Sequence, residues 1–191
     1  MPPLQQHYLV ITALGTDRPG IVNTITRHVS SCGCNIEDSR LAMLGEEFTF
    51  IMLLSGGCNA IAQIESTLPL KGAELDLLIV MKRTTAQEQP ANPTTVWVTV
   101  EVDDSPHLIE CYTDLFDSHQ MTLAELASKT QPASAQSPSR LTLLMTAHGP
   151  AGGQVLLIEQ RFINSVQNCM RKAVLELSII HSIRNRDGVL Q

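Results

Sequence analysis

The sequence lacks an apolar run long enough to cross a membrane. Of its 191 residues, 43% are hydrophobic and 17% are charged, and no stretch approaches the roughly 18 uninterrupted apolar residues of a transmembrane helix. The first residues, MPPLQQHYLV, have neither a basic start nor a long apolar core, so no secretory signal is expected. We therefore expect a soluble, cytoplasmic globular protein with no membrane partner.

Clustered positive charge is also scarce. The formal net charge is −6, and the basic residues are scattered apart from three short groups, Lys82-Arg83, Arg171-Lys172 and Arg184/Arg186. Such short groups are typical of solvated strand or helix ends, whereas contacts to nucleic-acid phosphates need clustered Lys and Arg. Direct binding of nucleic acid is therefore not expected, and any action on genes would need a DNA-binding partner.

The cysteines do not form a recognisable framework. There are five, and an odd number at irregular spacing does not predict a set of disulfides. Cys32 and Cys34 form only a C-x-C around Gly33, with no second pair or histidine at the spacing of a zinc site. We expect the cysteines to be buried as reduced, small apolar residues and predict no metal and no cofactor.

Motifs of catalysis are missing as well. The sequence has no G-x-S-x-G elbow, no H-E-x-x-H and no phosphate loop of the Walker type. Its six histidines are dispersed, with no cysteine or aspartate at a fixed ligand spacing. An enzyme is therefore not expected.

What the sequence does contain is a strand–turn–helix pattern that occurs twice. The first copy runs from His7 to Asn35 and the second from Thr95 to Thr122. Three pairs of residues share a single offset of 87 positions, namely Asp17 and Asp104, Pro19 and Pro106, and Thr26 and Thr113. The repeat favours two small domains, residues 1–83 and 95–191, joined by a polar, proline-containing linker over 84–94.

The element order within each half predicts the fold. In the first half we expect strands at 7–15, 35–44, 47–55 and 75–81, a helix that begins at Pro19 and ends at Gly33, and a second helix closed by Pro69. The helix stripe is Val22, Ile25, Val29 and Cys32, which Ile109, Tyr112 and Phe116 repeat in the second half. A helix at 154–172 and a strand at 175–183 complete that half. The prediction is an α+β protein with two ferredoxin-like βαββαβ domains packed side by side.

The turn Thr16-Asp17-Arg18-Pro19-Gly20 brings together groups of both charges. The chain enters a helix whose first N–H groups have no intrahelical acceptor, an arrangement that suits a carboxylate. Gly15 and Gly20 allow close approach of the backbone, and Asp17 can accept hydrogen bonds from an ammonium group. Asn35 adds an amide just past the helix end. These features match an α-amino acid, but they also allow a second interpretation in which Asp17 only caps the helix and Gly20 only fits the turn.

The segment LGTDRPGIVNTITRHVSSCGCNIEDSRLAMLGEEFTFIML resembles the start of an ACT domain, and the match covers nearly the whole first half. That family has the βαββαβ fold and commonly binds amino acids where the first loop of one domain meets a neighbouring domain. The resemblance implies that the loop backbone and the side chains of Asp17 and Asn35 hold the ligand, with Gly15, Arg18 and Gly20 as loop neighbours.

The second loop departs from this pattern. Ser105 replaces Arg18, His107 replaces Gly20 and Thr122 replaces Asn35. An imidazole where glycine stood crowds a ligand that approaches closely, so we expect weaker binding or a different ligand there. A histidine at the start of a helix is a simpler interpretation of His107 than a metal ligand or a base.

A chain of two such domains, with SPHLIE and LFDSH-x-M-x-x-AEL in the second, is similar to ACT-domain regulators of transcription. The resemblance implies a co-regulator that senses a small amino acid, with glycine favoured, and represses through a LysR-type activator that itself binds DNA. The alternatives are a stand-alone amino-acid-sensing subunit of a metabolic enzyme and an adaptor without a ligand. The residues leave open whether the chain forms a homo-oligomer.

Overall fold

A computed structural model of the chain describes residues 6–86, 94–134 and 137–149. The chain divides into two compact units, Met1–Glu88 and Gln89–Gln191. The helix predicted at 154–172, the strand predicted at 175–183 and the basic groups Arg171-Lys172 and Arg184/Arg186 lie outside the described residues.

The first unit has the order predicted from the sequence. Its elements are β1 (His7–Thr16), α1 (Ile21–Ser31), β2 (Asn35–Leu44), β3 (Glu47–Gly56), α2 (Cys58–Glu74) and β4 (Leu78–Thr84). The strands form an antiparallel sheet in the order β2-β3-β1-β4. The fold class, α+β with the βαββαβ order, is confirmed for this unit.

One face of this sheet carries the core. Alternation along β1 and β3 places every second side chain on that face, where it packs against α1 and α2. The buried side chains of the two strands are Leu9, Ile11, Ala13, Phe48, Phe50, Met52 and Leu54. In β3, Phe48, Phe50, Met52 and Leu54 follow this period of two.

Helix α1 begins later than the sequence predicted. Gly20, with φ 86, is its N-cap, and the first helical residue is Ile21 rather than Pro19. The buried apolar stripe of the helix therefore starts at Ile21, which is 4% exposed. Val22 is only partly buried and packs against the core. Gly33 follows the helix with φ 77, as predicted.

Helix α2 continues past Pro69, so the prediction that Pro69 closes it is wrong. The proline lies inside a helix that ends at Glu74, although a proline in a helix interior costs about 3 kcal/mol. Packing offsets this cost, because Leu68 and Gly72 are buried and a Cβ on Gly72 would lie 2.4 Å from Ile79 Cγ1. The longer helix moves the start of β4 from residue 75 to Leu78.

The second unit repeats the first part of this arrangement. It contains β5 (Thr94–Asp103), α3 (Leu108–Ser118), β6 (Thr122–Gln131) and β7 (Arg140–Gly149), and its antiparallel sheet has the order β5-β7-β6. As in the first unit, the helix starts one residue before the first residue of the predicted apolar stripe, which is Ile109 in α3. Leu108 is buried whereas Ile109 is 38% exposed, because His107 occupies the N-cap position.

The cysteines follow the sequence prediction only in part. Cys32, Cys34 and Cys58 have free thiols, and burial raises the pKa of the Cys34 thiol. Cys111 is disulfide-bonded, so the expectation of a reduced thiol is wrong at this residue. An odd number of cysteines excludes complete pairing but does not exclude a single bond.

Candidate functional site

The loop between β1 and α1 turns through a left-handed residue. Gly20 has φ 86 and ψ −2, a conformation that costs an L-residue about 1–2 kcal/mol. A Cβ at this position would meet nothing within 4 Å, so the backbone conformation and not the available space selects glycine. The turn ends with hydrogen bonds from the Ile21 N–H to the Arg18 carbonyl (3.1 Å) and from the Thr24 N–H to the Gly20 carbonyl (2.9 Å).

The start of α1 presents free hydrogen-bond donors. Within the described part of the chain, the N–H groups of Val22 and Asn23 have no acceptor, and no side chain caps the helix. These N–H groups lie at the N-terminus of α1, which is the positive end of the helix dipole. An anion such as a carboxylate fits this position.

Asp17 is exposed beside these donors and does not cap the helix. Its own N–H donates to the Glu46 carbonyl over 3.4 Å, but no described group donates a hydrogen bond to its carboxylate. The interpretation of Asp17 as a simple helix cap therefore has no support in the geometry. The loop offers donors and an acceptor close together.

Gly15 and Arg18 support the loop from the side of the α2–β4 turn. The Arg18 guanidinium donates to the carbonyl of Leu75. A Cβ on Gly15 would lie 2.6 Å from Leu77 Cδ2 and 3.0 Å from the Asp76 carbonyl oxygen. Both residues thus have structural partners on a turn almost 60 positions later in the chain.

Asn35 does not lie with the other candidate residues in this unit. It pairs across the sheet with Ser55, which in turn pairs with Tyr8. Thr16, at the loop end of β1, is eight residues further along that strand. At about 3.3 Å per residue, Asn35 is about 26 Å along the sheet from the loop.

A polar cluster surrounds Asn35 at its end of the sheet. Its amide Nδ2 donates to Glu37 Oε1 over 3.1 Å, and the Ser55 hydroxyl donates to the same oxygen. Ser55, only 1% exposed, also accepts from Gln6 Nε2 over 3.0 Å. Sequence reasoning missed Glu37 and Ser55. The Asn-x-Glu spacing was the available signal for Glu37, but pairing with Ser55 depends on strand register.

The corresponding loop of the second unit has a different surface. His107 takes the left-handed conformation (φ 71) at the helix N-cap, and its Nδ1 lies 3.0 Å from Glu110 Oε2. The expectation of an exposed histidine at a helix start agrees with this position. A cleft of about 200 Å³ adjoins the loop, and its lining includes Asp104, Ser105, His107, Ser128 and Thr130.

The described residues contain neither a metal-binding cluster nor a membrane-spanning helix. No group of three or more His, Cys, Asp or Glu side chains in residues 6–86, 94–134 and 137–149 could hold a metal ion. In the same part of the chain, no helix is both long and apolar enough to span a membrane.

Comparison with known proteins agrees with the fold. The ACT domain model matches residues 7–82. The glycine cleavage system transcriptional repressor of Escherichia coli (strain K12) is 73% identical over 157 residues, which are 82% of this chain and 83% of the relative. Its counterpart from Shigella flexneri matches equally well.

Solved structures show the same relationship. A crystal structure assigned to a glycine cleavage system transcriptional repressor has a TM-score of 0.73 and 36% identity, and the match covers 94% of this chain and 99% of that chain. A protein from Galdieria sulphuraria has a TM-score of 0.71 at 21% identity, over 94% of this chain and 100% of that one. This second likeness concerns the fold alone.

The fold and the family model place the chain in the ACT-domain class, in agreement with the resemblance seen in the sequence. The relatives are regulators of transcription and not enzymes, as expected. The chain belongs to the family of glycine cleavage system transcriptional repressors.

Proposed function

We propose that this protein is a cytoplasmic, amino-acid-responsive transcriptional co-regulator that represses the glycine cleavage system. Its ligand is a small amino acid, with glycine favoured. It acts through a DNA-binding activator of the LysR type and does not bind DNA itself. The names of its relatives support the repressor role, and the β1–α1 loop supports the ligand.

The observation that carries the ligand proposal is that the loop and the first turn of α1 contain two amides without an acceptor and a carboxylate without a donor. The Val22 and Asn23 N–H groups have no acceptor among the described residues, and the Asp17 carboxylate has no donor there. An amino acid has a carboxylate for the amides and an ammonium group for Asp17. A small side chain suits the close approach of the ligand to the loop backbone at Gly20.

Asn35 enters this site from a second copy of the chain. It lies at the far end of the sheet from its own loop, and the corresponding position of the second unit is Thr122. A site that contains both Asp17 and Asn35 therefore needs two copies of the first unit. This argument favours a homo-oligomer.

The charge of the chain favours indirect action on DNA. The net charge is −6, whereas affinity for DNA rests largely on clustered Lys and Arg at phosphates. The Lys82-Arg83 group is part of an edge strand, and Arg83 is occupied by Glu65, with two hydrogen bonds of 2.8 and 2.7 Å. In this proposal, the activator and not this chain contacts the operator DNA.

The ligand proposal is tested by calorimetric titration of the full chain with glycine. Asp17→Ala should weaken glycine binding at least about tenfold, because it removes a charge-assisted partner of the ammonium group. The melting temperature should stay unchanged, since the Asp17 side chain has no hydrogen bond within the described chain. Asp104→Ala, with the same charge change at the matching position of the second loop, is the control. Equal glycine affinity in wild type and Asp17→Ala would contradict the site.

The partner proposal is tested by pull-down of the tagged chain from cell extract with and without glycine. Recovery of a DNA-binding activator supports the co-regulator. Recovery of a biosynthetic enzyme instead would support an amino-acid-sensing subunit. A gel-shift assay with operator DNA should show no shift from the chain alone.

A further inference from the structure

Glu37 is the extra residue of a β-bulge in β2. The register passes from Ile36 opposite Leu54 directly to Asp38 opposite Leu53, so Glu37 has no partner across the ladder. A bulge of this kind re-aims a side chain and bends the strand locally. Here it places the Glu37 carboxylate beside Asn35 and Ser55.

The contacts at Glu37 keep its carboxylate ionised. Hydrogen bonds from Ser55 and, to a smaller extent, from Asn35 lower the pKa of Glu37 below its ordinary value. Ser55 is fixed in turn by burial and by its hydrogen bond from Gln6. At neutral pH the group is therefore a hydrogen-bond acceptor only.

This charge state determines the orientation of the Asn35 amide. An ionised carboxylate cannot donate, so the Asn35 atom that faces Glu37 must be Nδ2. Oδ1 then points away from Glu37 and is available as an acceptor. The hydrogen bonds from Asn35 and Ser55 both use Oε1 of Glu37, and no group in the described part of the chain donates to its Oε2.

We propose that Glu37 is the residue that makes the Asn35 end of the site specific for a primary ammonium group. It positions Asn35 so that Oδ1 faces the ligand, and it adds negative charge at the same place. The inference rests on the proposed function and deepens it, because it predicts that the amine and not the carboxylate of the amino acid is read by this end. A hydroxy acid of the same size has one O–H donor in place of three N–H donors and has no positive charge at this position.

The second unit shows that the fold does not need Glu37. The same bulge occurs there between Leu123 and Glu125, at the offset of 87 positions, and its extra residue is Ala124. Thr122 and His148 are the cross-strand pair that matches Asn35 and Ser55. Because the bulge forms without the polar cluster, the requirements of the sheet do not explain the cluster.

The experiment compares glycine with glycolate, which replaces the ammonium group by a hydroxyl. Titration calorimetry on the full chain measures the affinity ratio of the two ligands for wild type, Glu37→Gln and Asp38→Asn. Glu37→Gln keeps the size and shape of the side chain. A glutamine amide can both donate and accept, so it can pair with either Nδ2 or Oδ1 of Asn35, and the orientation of the Asn35 amide is no longer fixed. Asp38→Asn removes the same charge from the next residue, whose partner is Arg40.

We expect Glu37→Gln to lower the glycine-to-glycolate affinity ratio about tenfold and Asp38→Asn to leave it unchanged. A purely structural role for Glu37 would weaken both ligands equally and leave the ratio unchanged, which would overturn the proposal. An equal fall in the ratio in both variants would also overturn it, since the effect would then be one of general charge.

Failure of this inference can be told apart from failure of the proposed function. If Asp17→Ala loses glycine binding but Glu37→Gln keeps the wild-type ratio, the amino-acid site stands and the role of Glu37 is refuted. If the wild-type chain does not bind glycine or any other small amino acid, the proposed function fails and this inference fails with it.

Discussion

The same left-handed residue starts the first helix of both units, but its side chain differs. Gly20 has φ 86 and His107 has φ 71. An L-residue in this conformation is strained by about 1–2 kcal/mol, which glycine avoids. The backbone of the second unit is therefore strained at His107, whereas the backbone of the first unit is not strained at Gly20. This position is the start of the helix, where the first unit exposes backbone amides.

Replacing Gly20 by Ala isolates this effect, because the space around a Cβ there is open. We expect the free energy of unfolding to fall by about 1 kcal/mol, and glycine affinity to fall as the turn distorts. The matched change His107→Gly should cause no loss of stability. Urea denaturation of both variants measures the two values, and an unaltered Gly20→Ala protein would contradict the strain argument.

Single residues of the site differ in how far the sequence predicts them. Gly20 is predictable as a glycine of the turn, but its left-handed conformation at the helix N-cap is not, because Pro19 is also typical of the first helical position. The structural partner of Arg18, the Leu75 carbonyl, is not predictable, since it depends on how the α2–β4 turn packs. Glu37 is hidden because a bulge is not visible in the alternation of β2.

At the scale of elements, strands are predicted better than helix ends. Strands β2 and β3 begin at the predicted residues, because each follows a glycine with positive φ, Gly33 or Gly45, which is a local signal of a helix end or a turn. The end of α2 is set by burial of Leu68 and Gly72, which overrides the local signal of Pro69. The start of β4 then shifts with the helix.

Helix α3 contributes a pH-sensitive group to the core of the second unit. Tyr112 is 1% exposed, and burial raises its pKa from 10.0 to about 12. Its neutral form is favoured in the folded state, so the stabilisation is complete below pH 10 and is lost as the pH rises towards 12.

We expect the free energy of unfolding of the second unit to fall by about 2–3 kcal/mol between pH 10 and pH 12. Urea denaturation followed by the fluorescence of Trp97, the single tryptophan, reports on this unit because Trp97 is part of β5. Tyr112→Phe should remove most of the dependence on pH. A wild-type curve that stays flat over this range would refute the assignment.

At the scale of the whole molecule, the two units differ in the residues of the proposed ligand site. The first contains Asp17, Gly20 and Asn35 at the two ends of one sheet, and the second has lost two of the three. Because the ends of one sheet cannot meet, the asymmetry within a chain makes pairing between chains a requirement of the proposed site.

Mixing of two defective variants tests this requirement. Asp17→Ala and Asn35→Ala should each lose glycine binding as pure proteins. After co-expression, a two-fold symmetric dimer that assembles at random should recover about a quarter of the wild-type sites, because each mixed dimer combines one intact Asp17 with one intact Asn35. Calorimetry gives the stoichiometry, and no recovery in a mixture shown to contain mixed dimers would refute the shared site.

In β2 and in β6, the extra residue of the bulge differs from the other residues of the strand in what its replacement affects. Every other residue of these strands has a partner in the ladder, so its replacement alters both the sheet and its surface. The extra residue has no partner in the ladder. It is Glu37 in the first unit and Ala124 in the second, and the register of the strand pairs is the same in both. The side chain at this position can therefore change while the register of the sheet is kept. If the proposed site holds, this makes the bulge a practical target for engineering a sensor with a new ligand.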